Sequence, residues 1–203
     1  FYDYEGQRQD LIRYMRETEN QLQILLCELA AYLHNKDMEI NVWDQIIAFE
    51  GRMHEFIKAA YDYQDNTFHS HPGYYIDYFE MRLAQLQVLH NLHYEIKKIR
   101  KMPKQALVIA DYIMYMADYV VEMNIPDQQI EKLEEISEQM KQEELPKTRE
   151  EFEGRALLYH ILMDLEEFLV YKKRFVNGLD EKKLRIYWKQ KKKKKDSANE
   201  LQK

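Results

Sequence analysis

The sequence predicts an all-α protein: an antiparallel four-helix-type bundle of long helices, with an additional N-terminal helix and a short outer acidic helix. Three observations predict this class. Apolar residues recur at spacings of three and four along the chain, and no stretch alternates as a strand does. Only 5 Gly and 4 Pro occur in 203 residues. Apolar residues make up 45% of the chain and include 16 Tyr and 8 Phe, enough to build a core.

The first two helices follow from their apolar stripes. Helix one is predicted from Tyr4 to His34, and residues 1–36 are interpreted as a lead-in that joins a missing membrane region. Helix two opens at Asn41, a favourable N-cap residue. Its stripe has regular heptad spacing, which is typical of helices that pack at shallow angles: Val42, Ile46, Phe49, Met53, Phe56, Ala60, Tyr63.

The next three helices are separated by turn residues. After a loop at residues 68–73, helix three is predicted over residues 74–102. Pro103 suits the first turn of helix four, because a missing N–H costs nothing there. Helix four is predicted to continue to Met123. Helix five, at about 127–144, is acidic with few apolar residues and is therefore placed on the outside of the bundle.

Helix six carries the clearest start signal. Thr148 followed by Glu151 has the form of a capping box, and the helix is predicted to stop at residues 177–178. The chain is therefore divided into the N-terminal lead-in, a helical bundle domain at residues 37–178 and a basic tail at residues 179–203.

Charge is distributed unevenly. Residues 189–203 contain seven Lys and two acids; removing them from totals of 30 basic and 36 acidic residues leaves 23 and 34, a net charge of −11 for residues 1–188. An acidic body argues against binding nucleic acid. The lysine run at 191–195 has two interpretations: a solvated tail, or a hook for anionic lipid with Tyr187 and Trp188 at the interface.

Motifs for catalysis and metal binding are missing from the sequence. There is no glycine-rich phosphate loop and no His-Glu-x-x-His motif, and none of the seven His follows a Glu by three residues. The pairs His69/His71 and His90/His93 are interpreted as non-ligating. Cys27, the single cysteine, is predicted to be a buried, inert thiol. We therefore expect no enzyme activity, no cofactor and no metal.

Two arginines lie beside apolar stripes and are the candidate site residues. Arg82 follows Tyr75 and Tyr78 on helix three, and Arg155 lies between Phe152 and Leu158 on helix six. A ligand site is one interpretation, because Arg binds carboxylates with two parallel hydrogen bonds and Tyr stacks on rings, which suits an aromatic carboxylate.

The other interpretation is a structural polar network that fixes helix register. A buried Arg needs a charged or hydrogen-bonding partner. The candidate carboxylate partners are Asp65, Asp111, Glu151 and Glu166.

Several segments, in order, resemble the putative aromatic acid exporter C-terminal domain family over roughly residues 40–176. The first are Asp65-Asn66 and the run from Tyr74 to Gln85, followed by Gln105-Ala106 and Ile109-Ala110-Asp111. The longest runs from Leu145 to Tyr159 and reads LPKTREEFEGRALLY; it continues through Asp164–Phe168 to Lys172 and Phe175.

The resemblance implies a four-helix cytoplasmic domain that follows membrane helices in a bacterial transport protein of the cell membrane. The implied role is regulation, substrate sensing or assembly, and the implied partners are the membrane-embedded part of the same protein, a further copy in a homo-oligomer and an aromatic carboxylate. The family supplies no site residues. A stand-alone helical protein–protein interaction module is the alternative.

Overall fold

The computed structural model describes residues 4–34, 41–67 and 73–189, and the all-α prediction is confirmed. No strand occurs within these residues. The elements in chain order are α1 (Tyr4–Leu33), α2 (Val42–Asn66), α3 (Gly73–Lys97), α4 (Ala106–Ala117), α5 (Asp127–Lys141), α6 (Arg149–Asn177), α7 (Glu181–Lys183) and a π-helical segment (Leu184–Lys189).

The long helices α1, α2, α3 and α6 pack around a shared core. Helix α3 lies against both α2 and α6, while α4 lies against α1, and α5 covers α6 and α4. Helices α1 and α4 run antiparallel: His34, just beyond the end of α1, pairs with Asp111 in the middle of α4, and Gln23 of α1 donates to the Val120 carbonyl beyond the end of α4. The acidic α5 buries one face only, as predicted.

Helix α1 packs against the other helices of the bundle; that residues 1–36 lead in from a membrane region stays a prediction. Its Leu22, Leu25 and Leu26 are fully buried. They lie on the apolar side of α1, which faces α2, α3 and α4. That packing turns Cys27 outward, so the predicted buried thiol is exposed. Partial desolvation, together with nearby carboxylates including that of Asp118, raises the pKa of Cys27.

Two helices end earlier than predicted. Helix α3 stops at Lys97, and the chain tightens into i→i+3 turns, with the Lys98 and Ile99 N–H groups donating three residues back. Pro103 follows, and a proline disfavours helical backbone in the residue before it. Helix α4 stops at Ala117 rather than Met123, and residues 118–126 form a loop between α4 and α5.

Both predicted N-caps are present. The Asn41 side chain accepts from the Asp44 N–H at 3.3 Å, and the Thr148 hydroxyl accepts from the Glu151 N–H at 3.1 Å. Gly154, inside α6, lies against the Pro103 ring, where an added Cβ would meet Pro103 Cγ at 3.0 Å. Close packing between α6 and the α3–α4 connection therefore explains this mid-helix glycine.

Candidate functional site

Charged and hydroxyl side chains lie buried where the first half of α3 packs against α1. Arg82 is 1% exposed, and its Nε donates to the Tyr78 hydroxyl at 3.0 Å. The Tyr78 hydroxyl donates to Glu19 Oε1 at 3.0 Å, and Arg82 Nη2 lies 3.9 Å from that same oxygen. Burial raises the pKa of Tyr78 far above its usual value, so this phenol keeps the proton it donates.

A second buried carboxylate comes from the loop at residues 118–126. Glu122 is 1% exposed and accepts from Arg16 Nη2 at 2.9 Å and from the Tyr74 hydroxyl. Arg16 also donates through Nη1 to Glu19 at 2.8 Å. One arginine of α1 thus bridges both buried carboxylates, and the loop is joined to α1 and α3.

Helix α6 completes the network with a lysine. Lys172 is buried, and its Nζ donates to the Val121 carbonyl at 2.8 Å and to the Asn124 carbonyl at 2.9 Å. Burial, reinforced by the positive charge of Arg82, lowers the pKa of Lys172 to about 6. A neutral amine still has two N–H groups, which match the two carbonyls it contacts.

Charge counting agrees with a neutral Lys172. The guanidiniums of Arg16 and Arg82 balance the carboxylates of Glu19 and Glu122. A protonated Lys172 would add an unmatched buried positive charge, which a protein interior strongly disfavours. We call these five residues, together with Tyr74 and Tyr78, the buried charge network.

The candidate ligand residues of α3 are Tyr75, Tyr78 and Arg82, which lie in its first half and are all buried. Arg82 Nη1 donates to Gln85 Oε1 at 2.9 Å, and Gln85 Nε2 donates to the Phe168 carbonyl at 2.8 Å. The guanidinium therefore links α3 to α6 and α1, an arrangement that favours the register-fixing interpretation of Arg82 and Tyr78.

Arg155 lies elsewhere. It precedes Phe168 by thirteen residues of α6, which places it roughly 20 Å from the Arg82 contacts along the helix. Its Nη1 donates to the Glu144 carbonyl within the α5–α6 connection. The structure thus does not bring Arg155 and Arg82 into one site.

Among the described residues, none of the four carboxylates predicted as partners of the buried arginines forms an ion pair with Arg82 or Arg155. Asp65 and Glu166 are exposed, and Asp111 is paired with His34 Nε2 at 3.2 Å on the surface. Glu151 accepts a backbone N–H at the start of α6 at 3.0 Å, so it serves as a helix cap. These residues lie on outward faces or helix ends, whereas the charge of Arg82 faces Glu19.

Aromatic rings surround the outer edge of the buried charge network. The Tyr187 ring lies parallel to the Tyr74 ring, with centroids 3.9 Å apart and planes at 6°. Tyr75 meets Tyr187 edge-on at 5.5 Å and Tyr63 edge-on at 5.6 Å. Trp188 Nε1 donates to the Tyr74 hydroxyl at 3.1 Å. Tyr187 and Trp188, which one of the two interpretations of the tail placed at a lipid interface, pack on the bundle; the lysine run lies outside the described residues.

A groove of 760 Å³ lies at the opposite end of α6, between the α3–α4 connection and the start of α6. Its lining includes Lys98, Arg100 and Arg149 beside Ile99. Arg149 is paired with Glu153 at 3.0 Å. The groove combines cationic and apolar side chains but is separated from the buried charge network by most of the length of α6.

The structural evidence on metals and membrane spans concerns the described residues. Among them, no group of three or more His, Cys, Asp or Glu side chains is placed to hold a metal ion. His90 Nδ1 lies 3.6 Å from Glu50, while His69 and His71 lie outside the described residues. In the described part of the chain, no helix combines the length and apolarity that crossing a bilayer requires.

Sequence reasoning missed the carboxylates and the lysine of the network. Glu19 follows Met15 by four residues and precedes Leu22 by three, so it lies within the apolar stripe of α1. Lys172 has the same position between Phe168 and Phe175 on α6. Stripe position was therefore a usable signal for both. Glu122 lies in a loop, where no periodicity marks it.

Comparison with known proteins places these features in a family. The model of the putative aromatic acid exporter C-terminal domain matches residues 8–173. The uncharacterized protein YqjA of Bacillus subtilis (strain 168) is 27% identical over 170 residues, which cover 81% of this chain and 51% of that protein. The chain thus spans about half the length of this curated relative.

A solved structure shares the fold. It is the crystal structure of a putative membrane protein from Clostridium difficile 630, with a TM-score of 0.71 and 24% sequence identity, covering 81% of this chain and 98% of that one. Because the family model matches most of the sequence, including every element of the buried charge network, the chain belongs to the putative aromatic acid exporter C-terminal domain family.

Proposed function

We propose that this chain is a cytoplasmic, non-catalytic regulatory domain of an aromatic acid exporter-like membrane transport protein. The match of the exporter C-terminal domain family over residues 8–173 carries the proposal. The family is associated with exporters rather than with enzymes. The chain also spans only about half of its curated relative, which leaves room in such proteins for a membrane-embedded part.

The buried charge network supports a regulatory role. It joins α1, α3, α6 and the 118–126 loop at one end of the bundle. Most polar atoms of this network have hydrogen-bond partners inside the bundle, and Arg82 Nη2 faces Glu19 at 3.9 Å without a hydrogen bond. Buried networks of this kind have few alternative arrangements, so they hold elements in a fixed relation. In the proposed protein the membrane-embedded part connects through α1, and a movement of α1 reaches the loop through Arg16 and Glu122.

We assign Arg82 and Tyr78 the structural role in this proposal. Both side chains are enclosed and committed to partners inside the bundle. An aromatic carboxylate remains the proposed signal, but its site requires residues that a ligand can reach. Tyr75 is itself buried, but Tyr187, which meets it edge-on, is only half-buried, so a ligand that displaces Tyr187 would reach Tyr75.

Labelling of Cys27 tests the cytoplasmic placement. Cys27 is exposed. Because the thiolate is the reactive form and the pKa of Cys27 is raised, labelling is done above pH 8. A membrane-impermeant maleimide, added to cells that express the complete gene product, should label this position only after permeabilisation. The Cys27→Ser variant identifies the signal that belongs to this residue. Labelling in intact cells, or recovery of the protein outside the membrane fraction, contradicts the proposal.

A specific surface favours assembly as a second role. Helix α4 exposes Leu107, Val108 and Met114 by 47–49%, and α1, which packs against α4, exposes Ile24 by 41%. Apolar residues grouped on one face often mark contact between copies. We expect Met114→Glu to shift sedimentation of the chain toward monomer, while Ile47→Glu on α2, similarly exposed at 44%, leaves sedimentation unchanged. A wild-type chain that is monomeric at high concentration removes the assembly role.

A further inference from the structure

An aromatic slot opens beside the buried charge network and is filled by the chain itself. Tyr74 and Tyr75 of α3 are buried and form its floor, with Tyr63 at the side. The Tyr187 ring lies flat on Tyr74 at 3.9 Å and meets Tyr75 edge-on. Tyr187 itself is only half-buried, so the outer surface of this ring faces the edge of the bundle.

A cation with unused hydrogen-bonding capacity lies beside the slot. Burial raises the pKa of Tyr75 and Tyr187, and the positive charge of Arg8 acts on both phenols in the opposite direction. Arg8 Nε is buried and has no hydrogen-bond partner; Glu5 Oε2 lies 4.0 Å away, beyond hydrogen-bond distance. A guanidinium in this state fits an incoming carboxylate, which it binds through paired N–H groups.

We propose that this slot is a binding site for a planar aromatic ring bearing a carboxylate, and that Tyr187 occupies it as an internal plug. The ligand ring replaces the Tyr187 ring on Tyr74, and the carboxylate pairs with Arg8. This inference rests on the proposed regulatory function, for which it names the site, the ligand class and the element that moves.

The segment that carries Tyr187 is only partly buried, which favours its release from the bundle. It belongs to a single π-helical turn, Leu184–Lys189, a geometry that is rare and frequent at functional sites. None of residues 184–188 is fully buried, whereas the floor beneath them is. Ring contacts of Tyr187 and the hydrogen bond from Trp188 to Tyr74 hold the turn on the bundle.

Release of the π-helical turn also affects hydrogen bonds in the interior of the bundle. The Tyr74 hydroxyl accepts from Trp188 Nε1 and donates to Glu122, which in turn binds Arg16. Losing the Trp188 contact therefore changes the hydrogen bonding of a residue that holds the 118–126 loop. Ligand binding in the slot and the position of this loop are coupled through one phenol.

Titration calorimetry on the 203-residue chain tests the site, with 4-hydroxybenzoate as the probe. Tyr187→Ala removes the competing ring, and we expect it to bind the probe at least about tenfold more tightly than wild type. Adding Arg8→Gln should weaken that binding about tenfold. Arg100→Gln, which removes an exposed arginine of the distant groove, should leave it unchanged. Cyclohexanecarboxylate, with the same charge and no aromatic ring, should bind more weakly than the probe.

Equal affinity in wild type and Tyr187→Ala, or insensitivity to Arg8→Gln, overturns the proposal. If a variant loses its far-UV circular dichroism, the wild-type slot is tested through Trp188 instead. In a Trp43→Phe background Trp188 is the remaining tryptophan, and saturating probe should shift its emission to the red as the turn leaves the bundle. Unchanged emission during saturable binding also overturns the plug. Cys27 labelling in cells reports the proposed function separately.

Discussion

Lys172 gives the stability of this protein a specific dependence on pH. Between about pH 6 and pH 10.5, Lys172 is neutral in the folded protein but protonated in the unfolded chain. The unfolded state therefore binds an extra proton in this window. Proton binding stabilises the unfolded state at low pH, and this stabilisation decreases as the pH rises. The free energy of unfolding should consequently rise with pH, with a slope approaching 1.4 kcal/mol per pH unit.

From pH 7 to pH 9, these two pKa values predict that the free energy of unfolding rises by about 2.5 kcal/mol. Urea unfolding followed by circular dichroism at pH 7, 8 and 9 measures it. Lys172→Met has no group to titrate and should lose this slope. Lys173→Met is the matched control, because Lys173 is half-exposed and pairs with Asp127, and it should keep the slope.

The comparison of variants cancels other titrating groups. Asp164, whose pKa is raised to about 6 by burial and then by the neighbouring Glu95, titrates below this window. Cys27, whose pKa is raised by partial burial, is present in every variant and contributes equally to each. Equal slopes in wild type and Lys172→Met would refute the reasoning, because Lys172 would then remain charged in the folded protein.

Four substitutions at three positions test the packing and capping of the helices. Gly51→Ala in α2 meets no atom within 4 Å and should raise the free energy of unfolding by about 0.5–1 kcal/mol, because alanine favours helix. Gly154→Ala, matched to it, should fail to gain that amount because its Cβ meets Pro103 at 3.0 Å; an equal gain would contradict the close packing. Thr148→Ala should cost about 1 kcal/mol through loss of the cap, and Thr148→Ser should restore most of it. Urea unfolding measures the effect of all four substitutions.

Periodicity predicted the helices because their apolar faces are long and regular. The stripe of α2, from Val42 to Ala60, is buried as its spacing indicates. The caps at Asn41 and Thr148 were predictable because a capping side chain acts on its own N-terminal turn. The end of α4 was not, because Lys172 and Gln23, both distant in sequence, supply donors to the carbonyls of the 118–126 loop.

In the candidate site as well, contacts within one helix were predictable from the sequence and contacts between distant segments were not. Sequence spacing identified Arg82 as a buried cation and grouped it with Tyr78, and the two are hydrogen-bonded. It gave no way to choose the carboxylate, because Glu19 is 63 residues away on another helix and many acids were available. The aromatic slot combines Tyr74 with Tyr187, which lie more than a hundred residues apart, so only the fold could reveal it.

The loop at residues 118–126 has a consequence for folding order. Its carboxylate and carbonyls are satisfied by Arg16, Gln23 and Lys172, from the first and last long helices. Until α1 has docked, Glu122 has no guanidinium to pair with, and until α6 has docked, the Val121 and Asn124 carbonyls lack the Lys172 donor, so the loop cannot take its final position. The loop between α4 and α5 therefore becomes ordered only after α1 and α6 have packed. Folding should be cooperative across the domain, and a fragment that lacks α1 should expose the α4–α5 junction to proteolysis even if its other helices form.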